Sequence, residues 1–186
     1  MAVREIVVVE NPILRRKAKK IVKITPEHRK LIEDMIDTMR DAPGVGLAAP
    51  QVGVSERLIV VEYAPEDESE ENGDKPAKKK KLYVMLNPEI VSASEEKVQG
   101  AEGCLSVPGW VGDVMRHKSV VVRGLNRNGQ KIKVNAEGWL ARIFQHEIDH
   151  LDGVLYIDKL VSRETLRRVH EGAEETAEES QAEAIG

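Results

Sequence analysis

The chain has 186 residues, with 28 basic and 32 acidic side chains, a formal net charge of −4 and 41% hydrophobic residues. This composition is typical of one globular domain and excludes wholesale disorder. No apolar run approaches the roughly 18 residues that cross a bilayer, so we expect no membrane partner. The charge balance and the 3% of aromatic residues predict no direct nucleic-acid partner. The single cysteine, Cys104, excludes an internal disulfide and favours a cytoplasmic setting.

The N-terminal half predicts one helix, a loop and one buried strand. Thr25 and Pro26 are suited to the N-cap and the first position of a helix, and apolar residues then recur at helical spacing as far as Met39. Residues 44–53, GVGLAAPQVG, predict a glycine-rich loop. Residues 57–63, RLIVVEY, predict a buried strand.

The middle of the chain predicts a long loop and short strands. Residues 64–81 hold an acidic block and then a basic block without apolar periodicity, which predicts a solvated, mobile loop. Strand character resumes at Tyr83 and is expected to end at Asn87-Pro88. Residues 118–125 and 130–134 predict a hairpin around an Asn-Arg-Asn-Gly turn. Few helices together with hairpin signals predict an α+β class rather than a parallel α/β sheet.

The C-terminal third predicts two helices. Asn135 is suited to cap a helix over residues 136–152, which Gly153 is placed to end. Ser162 is suited to cap a third helix. The later part of that helix is an acidic tail at 171–186, with six glutamates and no lysine or arginine.

Residues 145–150, QHEIDH, contain the pattern H-E-x-x-H. On a helix, His146 and His150 lie one turn apart on the same face and can bind one metal ion, while Glu147 can reach a water on that ion. The apolar residues Trp139, Leu140, Ile143, Phe144, Leu151 and Val154 share this arc, which predicts that both imidazoles point into the core. The polar residues fall on the other side of the helix: Arg142, Gln145, Asp149 and Asp152.

A metal-free interpretation of this helix is the alternative. In it, the two histidines are hydrogen-bonded core residues and the glutamate between them is half exposed. Two buried imidazoles without partners would be costly, and a metal ion removes that cost. The sequence therefore favours a metal site.

A catalytic metal site needs a third protein ligand and an open position. The other histidines lie in contexts without a motif: His28, His117 and His170. A thermolysin-like protease would take a glutamate downstream, for which the sequence offers Glu164 and Glu171. Cys104 is the other candidate, because the glycine before it permits close backbone approach and Pro108 after it favours a fixed, extended segment. A lone cysteine is, however, more often a small buried hydrophobe.

Three segments together resemble the peptide deformylase family. Residues 44–53 are similar to its motif G-x-G-x-A-A-x-Q, residues 102–106 to E-G-C-L-S, and residues 145–150 to Q-H-E-x-D-H. Their order and spacing fit, and the resemblance spans residues 3–161. It implies antiparallel β-sheets packed around a central metal-binding helix.

The resemblance implies a single catalytic domain over residues 1–161, followed by a C-terminal helix and acidic tail over 162–186. It also implies one divalent ion, Fe2+ in the cell, which Zn2+, Ni2+ or Co2+ can replace. The implied metal ligands are Cys104, His146 and His150.

The resemblance further implies that the substrates are nascent N-formyl-methionyl polypeptides, from which formate is released. Glu147 is implied to take the proton of the attacking water. The Gln51 side chain and the Leu105 backbone N–H are implied to hold the oxyanion. The residues implied to contact the substrate, chiefly around the methionine side chain, are Val45, Gly46, Trp139, Arg142 and Ile143.

Some bacterial relatives dock transiently on the ribosome through a basic C-terminal helix. Here Arg163, Arg167 and Arg168 are followed by the acidic tail, which disfavours that docking. Two competing hypotheses remain open at this point: a small zinc metalloprotease, and a structural metal site in an interaction domain.

Overall fold

The structure, a computed structural model, describes residues 2–64 and 79–169. These residues form helices α1 (Pro26–Asp41) and α2 (Gly138–Leu151), together with eight strands in two antiparallel sheets. The strands are β1 (Gly46–Ala48), β2 (Leu58–Tyr63), β3 (Lys81–Ala93), β4 (Lys97–Gly103), β5 (Trp110–His117), β6 (Ser119–Leu125), β7 (Lys131–Glu137) and β8 (Arg167–Arg168). The predicted α+β class is confirmed. The predicted mobile loop and acidic tail lie almost wholly outside the described residues.

The five-stranded sheet has the order β1-β2-β3-β6-β7 and is covered on both faces. In β2, Leu58 and Val60 face α1, whereas Ile59 and Val61 face α2. A strand that is buried on both faces needs apolar residues at every position. This explains the continuous apolar run that predicted the strand.

Helix α1 begins and ends close to its predicted bounds. Pro26 occupies the first helical position, and the Thr25 N–H donates to His28 Nδ1 at 3.0 Å, which satisfies one of the free donors there. The apolar stripe of the helix packs on the sheet through Leu31, Ile32, Met35, Ile36 and Met39.

The prediction that a strand ends at Asn87-Pro88 is wrong, because β3 continues to Ala93. Asn87 has a φ of 51°, and the pairing of β3 with β6 shifts register between Leu86 and Glu89. This bulge accommodates the proline, which lacks an N–H for the ladder. The Asn87 side chain also bonds both backbone groups of Ile21.

The predicted hairpin is confirmed as β6 and β7, and the helix that follows it begins later than predicted. Asn135 pairs with Val121 inside β7 rather than capping α2. Gly138, with a φ of 60°, marks the change from strand to helix. Gly153, with a φ of 77°, follows the helix end as predicted.

Three further segments differ from prediction. The glycine-rich loop contains β1 and a 3-10 turn, Ala49–Val52. The segment after Cys104 is a tight turn rather than extended chain, since the Val107 N–H donates to the Cys104 carbonyl at 2.8 Å. Ser162 caps only a 3-10 turn, Arg163–Thr165, before β8 pairs with β5, so no third helix forms within the described residues.

The smaller sheet has the order β4-β5-β8, and α2 lies between it and the five-stranded sheet. This placement sets the H-E-x-x-H motif at the centre of the fold. Neither helix in the described ranges is long and apolar enough to cross a membrane.

Candidate metal centre

Helix α2 is buried on almost every side, because sheets pack against it from two directions. His146 and His150 point into the core, as predicted. The expectation that Arg142 and Gln145 lie on a polar outer face is wrong, since both side chains are buried against the smaller sheet. Helical periodicity assumes one packed face, and it cannot indicate a helix enclosed by two sheets.

Three donor atoms from distant parts of the chain meet at one point. The His146 and His150 Nε2 atoms are 3.2 Å apart, and Cys104 Sγ lies 3.3 Å from His150 Nε2. All three side chains are buried, and their donor atoms lie within 4.8 Å of one another. Two imidazole nitrogens bound to one tetrahedral ion are separated by about 3.3 Å, so the observed spacing fits a shared ion.

Cys104 reaches this point because β4 ends at Gly103 and the chain then turns. Burial raises the pKa of the Cys104 thiol, so the metal-free pocket favours the protonated form. A divalent cation reverses that preference, since a coordinated thiol is deprotonated. The donor set of one sulfur and two imidazoles suits zinc, iron, cobalt or nickel better than magnesium or calcium.

Glu147 is completely buried, and neither carboxylate oxygen has a hydrogen-bond partner among the described residues. Burial, together with the negative charge of Glu102, raises the pKa of Glu147 well above its usual range. Gly46 of β1 packs directly against this carboxyl group, where a Cβ would lie 2.9 Å from the Glu147 Cδ. A buried carboxyl without a protein partner fits a role in proton transfer with a bound water.

Gln51 is fixed beside Cys104. Its Oε1 accepts from the Ala48 N–H at 2.8 Å, which turns the amide nitrogen toward Cys104. That nitrogen donates to Ser106 Oγ at 3.2 Å and lies 3.6 Å from Cys104 Sγ. Leu105, the other predicted oxyanion donor, directly follows the cysteine in the same turn.

The sequence patterns did not reveal the role of Glu102, the first residue of the E-G-C-L-S motif. Its Oε2 lies 2.9 Å from His146 Nδ1, a separation at which the ring N–H donates to the carboxylate. Arg116 binds the same carboxylate through two nitrogens, each at 2.8 Å. Burial would raise the pKa of Glu102, but the hydrogen bonds from Arg116 and His146 outweigh it and hold the pKa well below its usual range.

A carboxylate on the far nitrogen of a ligating histidine sets the tautomer that exposes the other nitrogen to the metal. Glu102 is therefore placed to orient the His146 ring toward the three converging donor atoms, without being one of them. A glutamate between the small residues Ala101 and Gly103, directly before the Gly-Cys pair, is the signal that could have revealed it.

The residues predicted to surround the methionine side chain lie around α2. Val45 and Ile143 are buried in the core between α2 and the larger sheet, and Trp139 packs against that core. Arg142 differs, because its guanidinium donates a hydrogen bond to the Glu102 carboxylate at 2.9 Å and is therefore not free to line a substrate pocket.

Comparison with known proteins identifies the family. The family model described as polypeptide deformylase matches residues 3–166. The chain is 54% identical to the peptide deformylase of Symbiobacterium thermophilum, over 100% of this chain and 78% of that protein. It is 47% identical to the peptide deformylase of Thermomicrobium roseum, over 96% of this chain and 97% of that protein.

Solved structures agree with the sequence relatives. The peptide deformylase of Ehrlichia chaffeensis superposes with a TM-score of 0.78 at 39% identity, covering 87% of this chain and 89% of that one. That of Thermotoga maritima gives a TM-score of 0.75 at 38% identity, covering 87% and 100%. The chain belongs to the polypeptide deformylase family, the metal-dependent enzymes that remove the formyl group from the N-terminus of nascent polypeptides.

Proposed function

We propose that the chain hydrolyses the formyl group of N-formyl-methionyl polypeptides at a metal ion bound by Cys104, His146 and His150, and releases formate. The observation that carries this proposal is the buried Glu147 carboxyl, which has no partner among the described residues and lies beside three converging metal donors. A structural metal site has no use for such a group, because structural sites are closed by a fourth protein ligand.

When bound, the ion supplies the Lewis acidity that activates a water molecule and polarises the formyl oxygen. Glu147 accepts the proton of the attacking water and passes it to the departing amine. Formate and a free N-terminal amine are the products.

Gln51 and Leu105 are proposed to hold the oxygen that becomes negatively charged during the attack. The hydrogen bond from Ala48 to Gln51 Oε1 leaves the amide nitrogen directed toward the reaction site. A donor held in place before the reaction stabilises the oxyanion without reorganising. Because a thiolate ligand weakens the Lewis acidity of the ion, these donors carry more of the stabilisation.

Gly46 is proposed to contact the substrate near the formyl group, and the methionine side chain is proposed to lie against Val45, Trp139 and Ile143. For Arg142, only the aliphatic part of the side chain is available to this wall, because hydrogen bonds occupy its guanidinium.

We propose Fe2+ as the ion in the cell, with Zn2+, Ni2+ or Co2+ able to replace it. The test is a time course of formate release in air for each metal form, with the mass of the Cys104 peptide followed in parallel. We expect activity to decay with Fe2+ and to persist with Ni2+ or Zn2+, because Fe2+ and the adjacent thiolate are oxidised together. Equal decay of every form with unmodified Cys104 would contradict the redox explanation.

The proposed substrates place the enzyme in the cytoplasm, and a thiolate ligand supports that reduced setting. Docking on the ribosome through the C-terminal segment is disfavoured by its charge. Arg167 forms an ion pair with Asp113, and the tail beyond residue 170 carries six glutamates. We propose no direct contact with nucleic acid through this segment.

The deciding experiment measures formate release from a formyl-methionyl peptide, using protein purified without oxygen. The same peptide without the formyl group is the control for internal cleavage. Formate without internal cleavage supports the proposal, whereas internal cleavage of both peptides supports a metalloprotease. Unfolding by a chelator with no formate release at any stage supports a structural metal site.

A further inference from the structure

Arg142 of α2 lies one helical turn before His146, yet only 5% of it is exposed. Its guanidinium donates to the Val98 carbonyl at 2.7 Å and the Val114 carbonyl at 2.9 Å, and lies 3.3 Å from the Gly100 carbonyl. These acceptors belong to β4 and β5. The same guanidinium donates to the Glu102 carboxylate at 2.9 Å.

Gly100 is shaped to receive this guanidinium. A Cβ at this position would lie 2.9 Å from Arg142 Nη2 and 3.0 Å from its Cζ. The backbone of Gly100 is not in the left-handed region, so an alanine is compatible with the strand, and the three atoms nearest to its Cβ all belong to Arg142. The glycine therefore admits the arginine rather than permitting an unusual turn.

The two elements that supply the metal donors meet at Arg142. Strand β4 carries Glu102 and leads directly into Cys104, whereas α2 carries both histidines. Arg116 holds Glu102 from β5, and Arg142 holds it from α2. Loss of Arg142 would leave several buried carbonyl and carboxylate oxygens without this hydrogen-bond donor. A buried acceptor without a donor is costly in free energy.

We propose that Arg142 is a positioning residue, whose guanidinium joins α2 to β4 and completes the set of donors that orients Glu102 toward the His146 ring. This inference rests on the proposed metal-binding role of His146. In this inference Arg142 does more than line the methionine pocket, because it also aligns β4 with α2.

Two variants approach the contact from opposite sides. Arg142→Met removes every donor and keeps an unbranched side chain, whereas Gly100→Ala keeps the arginine and displaces its guanidinium. Metal affinity is measured by competition of Co2+ and Ni2+ with a chelator, and ligand geometry by the visible spectrum of the Co2+ protein. We expect both variants to bind metal about 10-fold more weakly, at the low end of the effect of losing the histidine's own partner, because Glu102 stays in place but loses one of its donors.

The same variants should show a changed Co2+ spectrum and a lower kcat, while KM for a formyl-methionyl peptide stays within about twofold. Arg142→Lys should not restore affinity, because an ammonium lacks the planar fork that reaches several acceptors. If Arg142→Met fails to fold, Gly100→Ala carries the test, since it changes one methyl group.

Arg57→Met is the matched control. Arg57 is also buried and donates to two carbonyls, of Leu151 and Pro88, and to the Asp152 carboxylate. This variant should lose stability but keep its metal affinity within about twofold, because Arg57 supports no residue that bonds a proposed ligand.

Either of two results would overturn the inference. One is a raised KM in both Arg142→Met and Gly100→Ala with unchanged metal affinity and Co2+ spectrum, which would make Arg142 only a pocket wall. The other is an equal loss of affinity in Arg57→Met, which would indicate a general structural effect. Metal affinity is measured without turnover, so a wild type that binds Co2+ but releases no formate would contradict the proposed function alone.

Discussion

Helices α1 and α2 pack on opposite faces of the same five-stranded sheet, but they bury different kinds of side chain. The sheet-facing surface of α1 is an apolar stripe, and its buried carboxylate, Asp34, is bound by Arg4 and Lys30. Helix α2 buries polar and ionisable side chains along most of its length: Arg142, Gln145, His146, Glu147 and His150.

The two helices therefore differ in what they contribute: α1 contributes apolar burial that stabilises the fold, and α2 contributes the side chains of the candidate site. Apolar contacts of the α1 kind stabilise the fold in proportion to the area they remove from water. Buried charges of the α2 kind are costly unless each finds partners, and Glu102 and Arg116 supply several of them. Glu147 has none among the described residues, which is the arrangement expected of a reacting group.

The largest effect is expected in α2 from Glu147→Gln. Glutamine keeps the shape of the side chain but cannot accept a proton, so formate release should fall by about 1000-fold. Metal content, measured by elemental analysis, should stay at the wild-type level. Loss of the metal in this variant would show instead that Glu147 ligates the ion.

Cys104→Ser tests the proposed ligand that lies outside α2. A serine hydroxyl is a harder and less acidic donor than a thiol, so metal affinity should fall by more than about 100-fold. Competition with a chelator measures the affinity. A serine variant that remains fully loaded and active would remove Cys104 from the ligand set.

Met35→Ala tests the apolar face of α1. Met35 is completely buried against the sheet, and its truncation should destabilise the fold by about 2–5 kcal/mol in urea unfolding. Metal affinity should change by less than about twofold, because the sheet separates Met35 from the ion. Met115→Ala, at a side chain that is 44% exposed on β5, is the control and should cost much less.

Asp34→Asn tests the charged exception on α1 and has the smallest expected effect. A hydrogen bond from Lys30, assisted by Arg4, lowers the pKa of Asp34 from 3.8 to about 2. The folded state therefore favours the ionised form. Ionised Asp34 contributes about 2 kcal/mol to the free energy of unfolding. This contribution is present above pH 3.8 and is lost as the pH falls through 2.

The measurement is the difference in unfolding free energy between wild type and Asp34→Asn, both free of metal. We expect a difference of about 2 kcal/mol at pH 6 that shrinks to roughly half at pH 3. Metal-free protein is needed, because acid also protonates the proposed ligands. A difference that does not depend on pH would show that Asp34 acts through neutral hydrogen bonds.

Local patterns in the sequence determined α1, β2, the hairpin of β6 and β7, and the approximate position of α2. Each depends on neighbouring residues: a cap with helical spacing, a run of apolar residues, or a turn with glycine. The three motifs likewise identified the family, because residue types at short spacing carry it. The same local reasoning ended β3 at Asn87-Pro88, because it cannot foresee that a bulge lets a strand continue past a proline.

Only the tertiary structure decided which faces of α2 are buried and which side chains form hydrogen bonds with one another around the proposed metal site. Arg142 was expected on a polar face, and it is buried because the smaller sheet closes over that side of α2. Glu102 lies 44 residues from His146 in sequence, and no spacing rule relates two residues so far apart. Burial and long-range hydrogen bonds depend on how the sheets enclose the helix, which is a property of the packed fold and not of any one segment.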